Sequence, residues 1–412
     1  MIQKIELQNG LRVLVEDIPT VRSVSIGIWI GTGSRFENSV ENGVSHFLEH
    51  MFFKGTKTRS AADIAESFDR IGGQVNAFTS KEYTCYYSKV LDEHADYAVE
   101  VLADMFFNSV FDEDELAKEK NVVFEEIKMV DDTPDDIVHD LLSKAAYGEH
   151  ALGYPILGTV ETLTAFNGDK LRDYMNRFYT ADNVVVSIAG NINEKLIETI
   201  KETFSAVKSS KDERSFDEPV FLSNKISRKK ETEQAHLCLG YEGLQIGHDD
   251  IYPLVLLNNL LGGSMSSRLF QEIREKRGLA YSVFSYHSSY KDSGMVTIYA
   301  GTAPGQLEEL YEAIQETTNR LKDEGIREKE LINGKEQLKG SLMLSLESTN
   351  SRMSRNGKNE LLLGKHRTLD ELIEQINKVS FDEVNELANR IFSKPFSTSL
   401  ISPTGELPKG LK

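Results

Sequence analysis

Residues 46–50 read HFLEH, at the start of the longer segment HFLEHMFFKGT at 46–56. In an α-helix, His46 and His50 lie one turn apart on the same face, about 6 Å along the helix axis. Two imidazoles so placed can bind one metal ion, and the carboxylate of Glu49 can reach a water bound to that metal. The plain alternative is two helix histidines beside a solvated glutamate. We expect a catalytic metal site, because imidazole and carboxylate ligands with an open water position are typical of catalytic zinc.

A metal held by two histidines needs a further protein ligand, and the Glu-rich helix predicted at 113–130 offers several carboxylates. Composition alone does not choose among Glu113, Glu115, Glu119, Glu125 and Glu126. Helical phase narrows the choice, because Glu119 and Glu126 are seven residues apart and share one face, near apolar Val123. A carboxylate on a face that packs inward requires a cation or a ring N–H as its partner.

The two halves of the chain show the same order of predicted elements, offset by about 215 residues. In the first half, hydrophobic periodicity predicts strands within 1–30, helices at about 40–53 and 60–71, two strands within 75–90, and helices at 93–108 and 113–130. In the second half it predicts a strand at 236–240, helices at about 250–261 and 267–276, strands at 281–286 and 294–300, and helices at 306–322 and 327–345. Strands grouped in hairpins and helices grouped in runs favour largely antiparallel sheets over a doubly wound parallel fold.

The polar stretch KSSKDERSFDE at 208–218 has no hydrophobic periodicity and is typical of a linker. We therefore expect the α+β class, with two homologous domains that are each a mostly antiparallel sheet with helices packed on it. The expected ranges are a catalytic domain at 1–207, a linker at 208–222 and a second domain at 223–412. The second domain contains no H-x-x-E-H segment, so we expect only the first to bind metal.

The composition excludes several classes of protein. The net charge is −18 and the sequence shows no concentrated basic face, so nucleic acid is not an expected partner. No apolar run approaches the roughly 18 residues of a membrane-spanning helix, so no membrane partner is expected. Cys85 and Cys238 are too far apart in sequence for a disulfide framework or a C-x-x-C site. Together with an N-terminus that lacks an apolar signal region, these cysteines predict a cytoplasmic location.

The chain resembles the insulinase-like (pitrilysin) family of zinc metallopeptidases over essentially its whole length. The residues that carry the resemblance are Gly33-Ser34-Arg35, Glu37, Gly43 and the segment at 46–56. H-x-x-E-H is also the motif of the inverzincins. The resemblance is to the two-domain processing-peptidase branch in particular, which includes the mitochondrial processing peptidase β-subunit and its bacterial relatives.

This resemblance implies roles for single residues of the metal site. His46, His50 and Glu126 would bind Zn²⁺, one ion per chain, and Glu119 would support the site from outside the ligand set. Glu49 would take a proton from the zinc-bound water as that water attacks the scissile carbonyl, and would pass it to the leaving amine. The ligand types alone also allow Mn²⁺ or Co²⁺.

The segment GGQVNAFTS at 72–80 resembles the family strand along which an extended substrate lies. The resemblance implies that Asn76, Ala77 and Phe78 bind substrate by strand addition. Without it, the same residues fit an ordinary inner strand equally well.

In REKRGLAY at 274–281, Arg274 and Tyr281 are spaced like two catalytic residues of the family. There the arginine holds substrate and the tyrosine stabilises the oxyanion. Without the resemblance they would be a solvated helix residue and a strand aromatic.

The expected function is a zinc-dependent endopeptidase that cleaves peptides or unfolded protein segments inside the chamber of a clamshell-like homodimer. One alternative is a non-catalytic scaffold or substrate-holding subunit of the same fold, and another is a metal-binding regulatory module. The intact motif at 46–50 argues against the scaffold, because such subunits have lost it. The sequence leaves open a heterodimer with a different subunit.

Overall fold

The computed structural model describes residues 2–210 and 216–411, and residues 211–215 of the predicted linker lie outside the described residues. The chain forms two compact units, each made of segments that are not adjacent in sequence. The first unit comprises Met1–Ile127, Tyr154–Phe216 and Leu344–Thr368. The second unit comprises Lys128–Gly153, Asp217–Met343 and Leu369–Lys412.

The first unit contains a six-stranded sheet. Its strands are β1 (Ile2–Glu6), β2 (Arg12–Asp17), β3 (Ser23–Ile30), β4 (Gln74–Thr79), β5 (Thr84–Leu91) and β6 (Val184–Gly190). The strand order is β1-β2-β6-β3-β5-β4, which places β4 at one edge. Strands β2 and β6 are parallel, and the other adjacent pairs are antiparallel.

The second unit contains a five-stranded sheet. Its strands are β7 (Lys225–Lys229), β8 (Ala235–Glu242), β9 (Ala280–Ser289), β10 (Gly294–Thr302) and β11 (Phe396–Ser402). The order β7-β11-β8-β10-β9, with β7 and β11 parallel and the other pairs antiparallel, repeats the arrangement β2-β6-β3-β5-β4 of the first sheet. The predicted α+β class with mostly antiparallel sheets is confirmed, and the repeated strand order fits a duplicated domain.

The helices predicted within 40–130, at 250–261 and at 306–345 are present, and several helices begin at side-chain caps. In chain order they are α1 (Val44–Met51), α2 (Ala61–Asp69), α3 (Ala95–Asn108), α4 (Glu113–Asp132), α5 (Pro134–Tyr147), α6 (Val160–Thr164), α7 (Gly168–Phe178), α8 (Glu194–Phe204), α9 (Ile251–Gly262), α10 (Leu307–Glu324), α11 (Glu328–Ser345), α12 (Thr349–Leu363), α13 (Leu369–Lys378) and α14 (Phe381–Phe392). Helix α2 starts with a capping box, in which Ser60 and Asp63 each accept a hydrogen bond from the backbone of the other. No helix within 2–210 and 216–411 is both long and apolar enough to cross a membrane.

The helix predicted at 267–276 differs from expectation, because Phe270–Lys276 is π-helical. The backbone N–H of Leu279 donates to the carbonyl of Ile273 at 2.9 Å, which closes the end of this wider turn. Hydrophobic periodicity locates such a segment but does not determine its hydrogen-bond register.

Helices α5 and α12 each pack on the sheet that is formed by the other half of the sequence. Helix α5 packs on β8 and β11 in the second unit, and α12 packs on β3 and β6 in the first. In the first unit, Nε1 of Trp29 donates to Sδ of the fully buried Met353 at 3.3 Å. The ranges expected from sequence, 1–207 and 223–412, therefore contain the two sheets, but the compact units differ from them in these exchanged helical segments.

Candidate metal centre

Helix α1 is held at its N-terminus by a buried carboxylate. Glu37 accepts backbone hydrogen bonds from Gly43 at 2.7 Å and from Ser45 at 2.8 Å, which satisfies two of the free N–H groups of the first turn. Gly43 has φ +93°, and a Cβ atom at this position would lie 2.7 Å from the backbone of Gly158, so glycine is required there. The loop before the motif therefore fixes where α1 begins.

The apolar residues of α1 point into the core of the first unit. Phe47 and Leu48 are fully buried there. The remaining face carries His46, Glu49 and His50. The two imidazole rings have centroids 4.6 Å apart, as the one-turn spacing predicts.

Glu126, on α4, meets both histidines. Its Oε2 atom lies 3.7 Å from Nε2 of His46 and 3.5 Å from Nε2 of His50. One potential ligand atom from each of His46, His50 and Glu126 lies within 4.8 Å of the others. Among the residues that the structure describes, this is the one cluster of His, Cys, Asp or Glu side chains that could hold a metal ion.

The donor set and its spacing fit zinc. Zn–N and Zn–O bonds of about 2.0–2.1 Å in a tetrahedral site put donor atoms about 3.3 Å apart. The measured 3.5 and 3.7 Å are close to that value. Two imidazoles and one carboxylate also leave a fourth position for water, which distinguishes catalytic from structural zinc sites.

Glu119 lies behind His50 and fixes the orientation of its ring. Nδ1 of His50 donates to Oε1 of Glu119 at 2.8 Å, and Nζ of Lys54 contacts Oε2 at 2.6 Å. Burial raises the pKa of the Glu119 carboxyl, but the hydrogen bonds from His50 and Lys54 outweigh burial and lower it. An ionised Glu119 that occupies Nδ1 leaves Nε2 of His50 directed at Glu126 and available to a metal.

The pKa values of the two histidines are shifted in opposite directions. Burial, with a smaller contribution from the charge of His50, lowers the pKa of His46 to about 3, so this imidazole is neutral. Burial also acts to lower the pKa of His50, but the hydrogen bond and charge of Glu119 and the charges of Glu126 and Glu49 outweigh it and raise that pKa. The pKa of His50 thus responds to the carboxylates around it, whereas the pKa of His46 responds mainly to burial.

Glu49 contacts strand β4 through its carboxylate. Its Oε2 atom accepts a hydrogen bond of 2.6 Å from the hydroxyl of Thr79. Burial raises the pKa of the Glu49 carboxyl, and the Thr79 hydrogen bond opposes this rise. A carboxylate whose pKa is raised is a stronger base than a free one, and it can take a proton from water and later return it.

Strand β4 offers backbone groups at the sheet edge. The backbone N–H of Ser80 donates to the carbonyl of Tyr83 at 2.8 Å, which closes the β4–β5 hairpin. Because successive residues of an antiparallel strand alternate between facing the partner strand and facing away, Ala77 directs its backbone to the free edge. Its N–H is accepted by Oδ1 of Asn76 at 2.8 Å, and Asn76 is exposed.

Phe78 occupies a different environment from Asn76 and Ala77. Its ring packs against Trp29 at a centroid distance of 5.6 Å and against Tyr87 at 6.1 Å. By the same alternation its backbone faces Cys85 of β5. Phe78 therefore stabilises the strand through its aromatic contacts. The alternative expectation of an inner strand is wrong, since β4 is an edge strand.

Arg274 and Tyr281 lie together in the second unit. The Arg274 guanidinium is 4.4 Å from the centroid of the Tyr281 ring, and Nη1 of Arg274 donates to the backbone carbonyl of Tyr281 at 3.0 Å. Tyr281 is 78% exposed, so its hydroxyl is open to solvent. The structure thus pairs these two residues as neighbours.

Sequence reasoning missed two residues that contact the site. Thr79 lies within the segment compared with the family strand, and strand alternation places its side chain on the same side as that of Ala77. Lys54 follows His50 by four residues, the spacing of one helical turn, although α1 itself ends at Met51. Both could have been found from spacing once the helix and strand were assumed to pack together.

Two protein-family models match the chain. The model of the insulinase family (peptidase family M16) matches residues 12–160, and the model of the peptidase M16 inactive domain matches residues 165–338. The first match includes the ligand group, and the second includes Arg274 and Tyr281.

Full-length relatives and solved structures agree with these matches. The uncharacterized zinc protease YmxG of Bacillus subtilis is 66% identical, over 99% of this chain and 100% of that protein. The uncharacterized zinc protease SCO5738 of Streptomyces coelicolor is 39% identical, over 98% of this chain and 90% of that protein. The crystal structure of a protease from Helicobacter pylori superposes with a TM-score of 0.91 at 25% identity, over 98% of this chain and 99% of that one. The chain belongs to the insulinase (M16) peptidase family.

Proposed function

We propose that the chain is a zinc-dependent endopeptidase. The observation that carries this proposal is the convergence of His46, His50 and Glu126, with Glu49 on the same helix as both histidines. The relatives that are named zinc proteases support it. A regulatory metal site would not require the carboxylate of Glu49 beside the ligands.

In the proposed reaction, His46, His50 and Glu126 hold zinc. Zinc in this position supplies Lewis acidity, which lowers the pKa of a water molecule and polarises a carbonyl group. The Glu49 carboxylate takes a proton from the attacking water and delivers it to the nitrogen of the departing amine. Glu119 and Lys54 keep His50 in the tautomer and orientation that the site needs.

We propose that substrate docks as an additional strand on the free edge of β4. The outward backbone of Ala77 and the exposed side chain of Asn76 support this mode. The Asn76 side chain accepts the hydrogen bond from the N–H of Ala77. When substrate binds, a substrate carbonyl would replace Asn76 as the acceptor. Phe78 contributes by holding the strand through its contact with Trp29.

We further propose that the active species is a homodimer. In it, Arg274 and Tyr281 of one protomer would complete the metal site of its partner, with Tyr281 stabilising the oxyanion. The 78% exposure of Tyr281 supports a role at a surface that meets another chain. An enclosing dimer would admit peptides and unfolded segments rather than folded domains. Two unpaired, buried cysteines, Cys85 and Cys238, support a cytoplasmic location.

Hydrolysis of an unfolded protein by the purified chain tests the proposal. A reduced and alkylated protein substrate should be cleaved, cleavage should stop with a zinc chelator, and added Zn²⁺ should restore it. Glu49→Gln should lower the turnover number by about 10²- to 10⁴-fold. Glu125→Gln, an exposed neighbour of Glu126, is the matched control and should retain activity. Cleavage that persists in Glu49→Gln or in the chelator would refute a zinc-and-glutamate mechanism.

A further inference from the structure

The hydroxyl of Thr79 is the contact that joins the base to the edge strand. It donates to Oε2 of Glu49 at 2.6 Å, and Thr79 is the last residue of β4. A carboxylate can rotate about its terminal C–C bond, whereas a threonine in a strand has few side-chain conformations. The hydrogen bond therefore restricts the orientation of the Glu49 carboxylate, because strand β4 holds Thr79 in place.

The hairpin that carries Thr79 is itself anchored outside the site. The backbone N–H of Arg35 donates to the carbonyl of Lys81 at 2.8 Å, and the Arg35 guanidinium is 2.5 Å from the Glu82 carboxylate, with both side chains almost fully buried. A Cβ atom on Gly33 would lie within 2.1 Å of the carbonyl oxygen of Ser80. The loop at 33–35 thus packs tightly against the hairpin turn and fixes where β4 ends.

We infer that Thr79 is a positioning residue for Glu49, which aligns the carboxylate for proton transfer. The inference rests on the proposed function, because it assigns Thr79 to the base of that reaction. One edge strand would then carry both the proposed docking surface for substrate and the group that orients the base. A substrate strand on β4 and an aligned Glu49 are thereby held by the same element.

A positioning role predicts a specific kinetic pattern. Hydrogen bonds to charged groups are the strong class, so loss of this one should lower the turnover number by about 10- to 100-fold. The Michaelis constant should stay within about twofold, because Thr79 aligns the base and does not hold substrate. The zinc content of a Thr79 variant should equal that of the wild type. Among the described hydrogen bonds, the Thr79 hydroxyl donates to Glu49 and none joins it to His46, His50 or Glu126.

The test compares Thr79→Val, which keeps the shape, with Thr79→Ser, which keeps the hydroxyl. We expect Thr79→Val to show the loss in turnover and Thr79→Ser to recover it to within about threefold of the wild type. Thr84→Val is the matched control, since Thr84 pairs with Thr79 in the hairpin but donates its hydroxyl to the carbonyl of Thr32. Its turnover should equal that of the wild type.

Three results would overturn the inference. These are wild-type turnover in Thr79→Val, equal loss in Thr79→Ser and Thr79→Val, or a raised Michaelis constant with turnover unchanged. If Thr79→Val loses zinc or does not fold, the comparison of Thr79→Ala with Thr79→Ser decides in the same way. A wild-type protein that shows no zinc-dependent hydrolysis refutes the proposed function and this inference together, whereas an active wild type with an equally active Thr79→Val refutes the inference alone.

Discussion

Oε1 of Glu119 accepts a hydrogen bond of 2.8 Å from Nδ1 of His50. The two residues are separated by 69 positions, and the contact joins helix α4 to helix α1 at the metal site. The same helix α4 supplies Glu126, two turns further on. A single helix therefore carries both a proposed ligand and the residue that orients another ligand.

Glu119→Gln should weaken zinc binding by about 10- to 100-fold. The amide would lose the charge that attracts the ring N–H of His50 and the ammonium of Lys54. Competition with a zinc chelator measures the dissociation constant. Glu115→Gln, on the same helix but paired with Lys118 at the surface, is the control. Equal affinities for Glu119→Gln and the wild type would show that Glu119 does not support the ligand.

Glu37→Ala should lower the free energy of unfolding of the first unit by about 3 kcal/mol. The substitution leaves the buried backbone N–H groups of Gly43 and Ser45 without their acceptor. Guanidinium denaturation measures the change. Glu66→Gln, at an exposed position on α2, should change stability by less than about 0.5 kcal/mol. A midpoint for Glu37→Ala that equals the wild-type midpoint would mean that the cap is not needed.

Helical spacing explains why the candidate metal ligands could be grouped from sequence. His46 and His50 are one turn apart, Glu119 and Glu126 are two turns apart, and both relationships survive in any α-helix. Which carboxylate faces the histidines could not be decided by phase alone, since Glu119 and Glu126 share a face. The resemblance to a known family separated them, and the distances in the structure agree with that assignment.

Contacts between distant elements could not be predicted in the same way. The Thr79 to Glu49 hydrogen bond requires β4 to pack on α1, and no local pattern specifies that packing. The exchange of α5 and α12 is also invisible to periodicity, because an apolar helix face shows that it is buried but not against which sheet. Strand alternation, by contrast, does predict that the side chains of Phe78 and Ala77 lie on opposite faces of β4. The sequence is therefore less consistent with the implied role in which both residues contact substrate.

Cleavage should depend on whether the substrate is folded. If the active dimer encloses its substrate, a flexible peptide of some tens of residues should be cut, and the same segment within a folded domain should be spared. A disulfide-containing domain before and after reduction and alkylation provides a matched pair. Comparable cleavage rates for the folded and unfolded forms would contradict an enclosing chamber.

Mixed dimers should test whether Tyr281 serves the partner protomer. Glu49→Gln and Tyr281→Phe should each be nearly inactive as homodimers. In the mixed dimer, the Tyr281→Phe chain keeps its own Glu49 and receives an intact Tyr281 from its partner, so one of the two sites is whole. We expect up to about half of the wild-type activity.

If Tyr281 served the zinc of its own chain, each site of the mixed dimer would carry one lesion. A mixed dimer confirmed by native mass spectrometry, yet as inactive as either parent, would exclude a site shared between protomers.

The zinc content of three purified variants tests most directly that Glu126 binds the metal and that Glu49, the proposed base, does not. Elemental analysis by mass spectrometry should find about one zinc per chain in Glu49→Gln and in the control Glu125→Gln, as in the wild type. It should find little in Glu126→Gln, because a neutral amide is a poor zinc ligand. Zinc retained in Glu126→Gln and lost from Glu49→Gln would contradict these assignments and reverse the two roles.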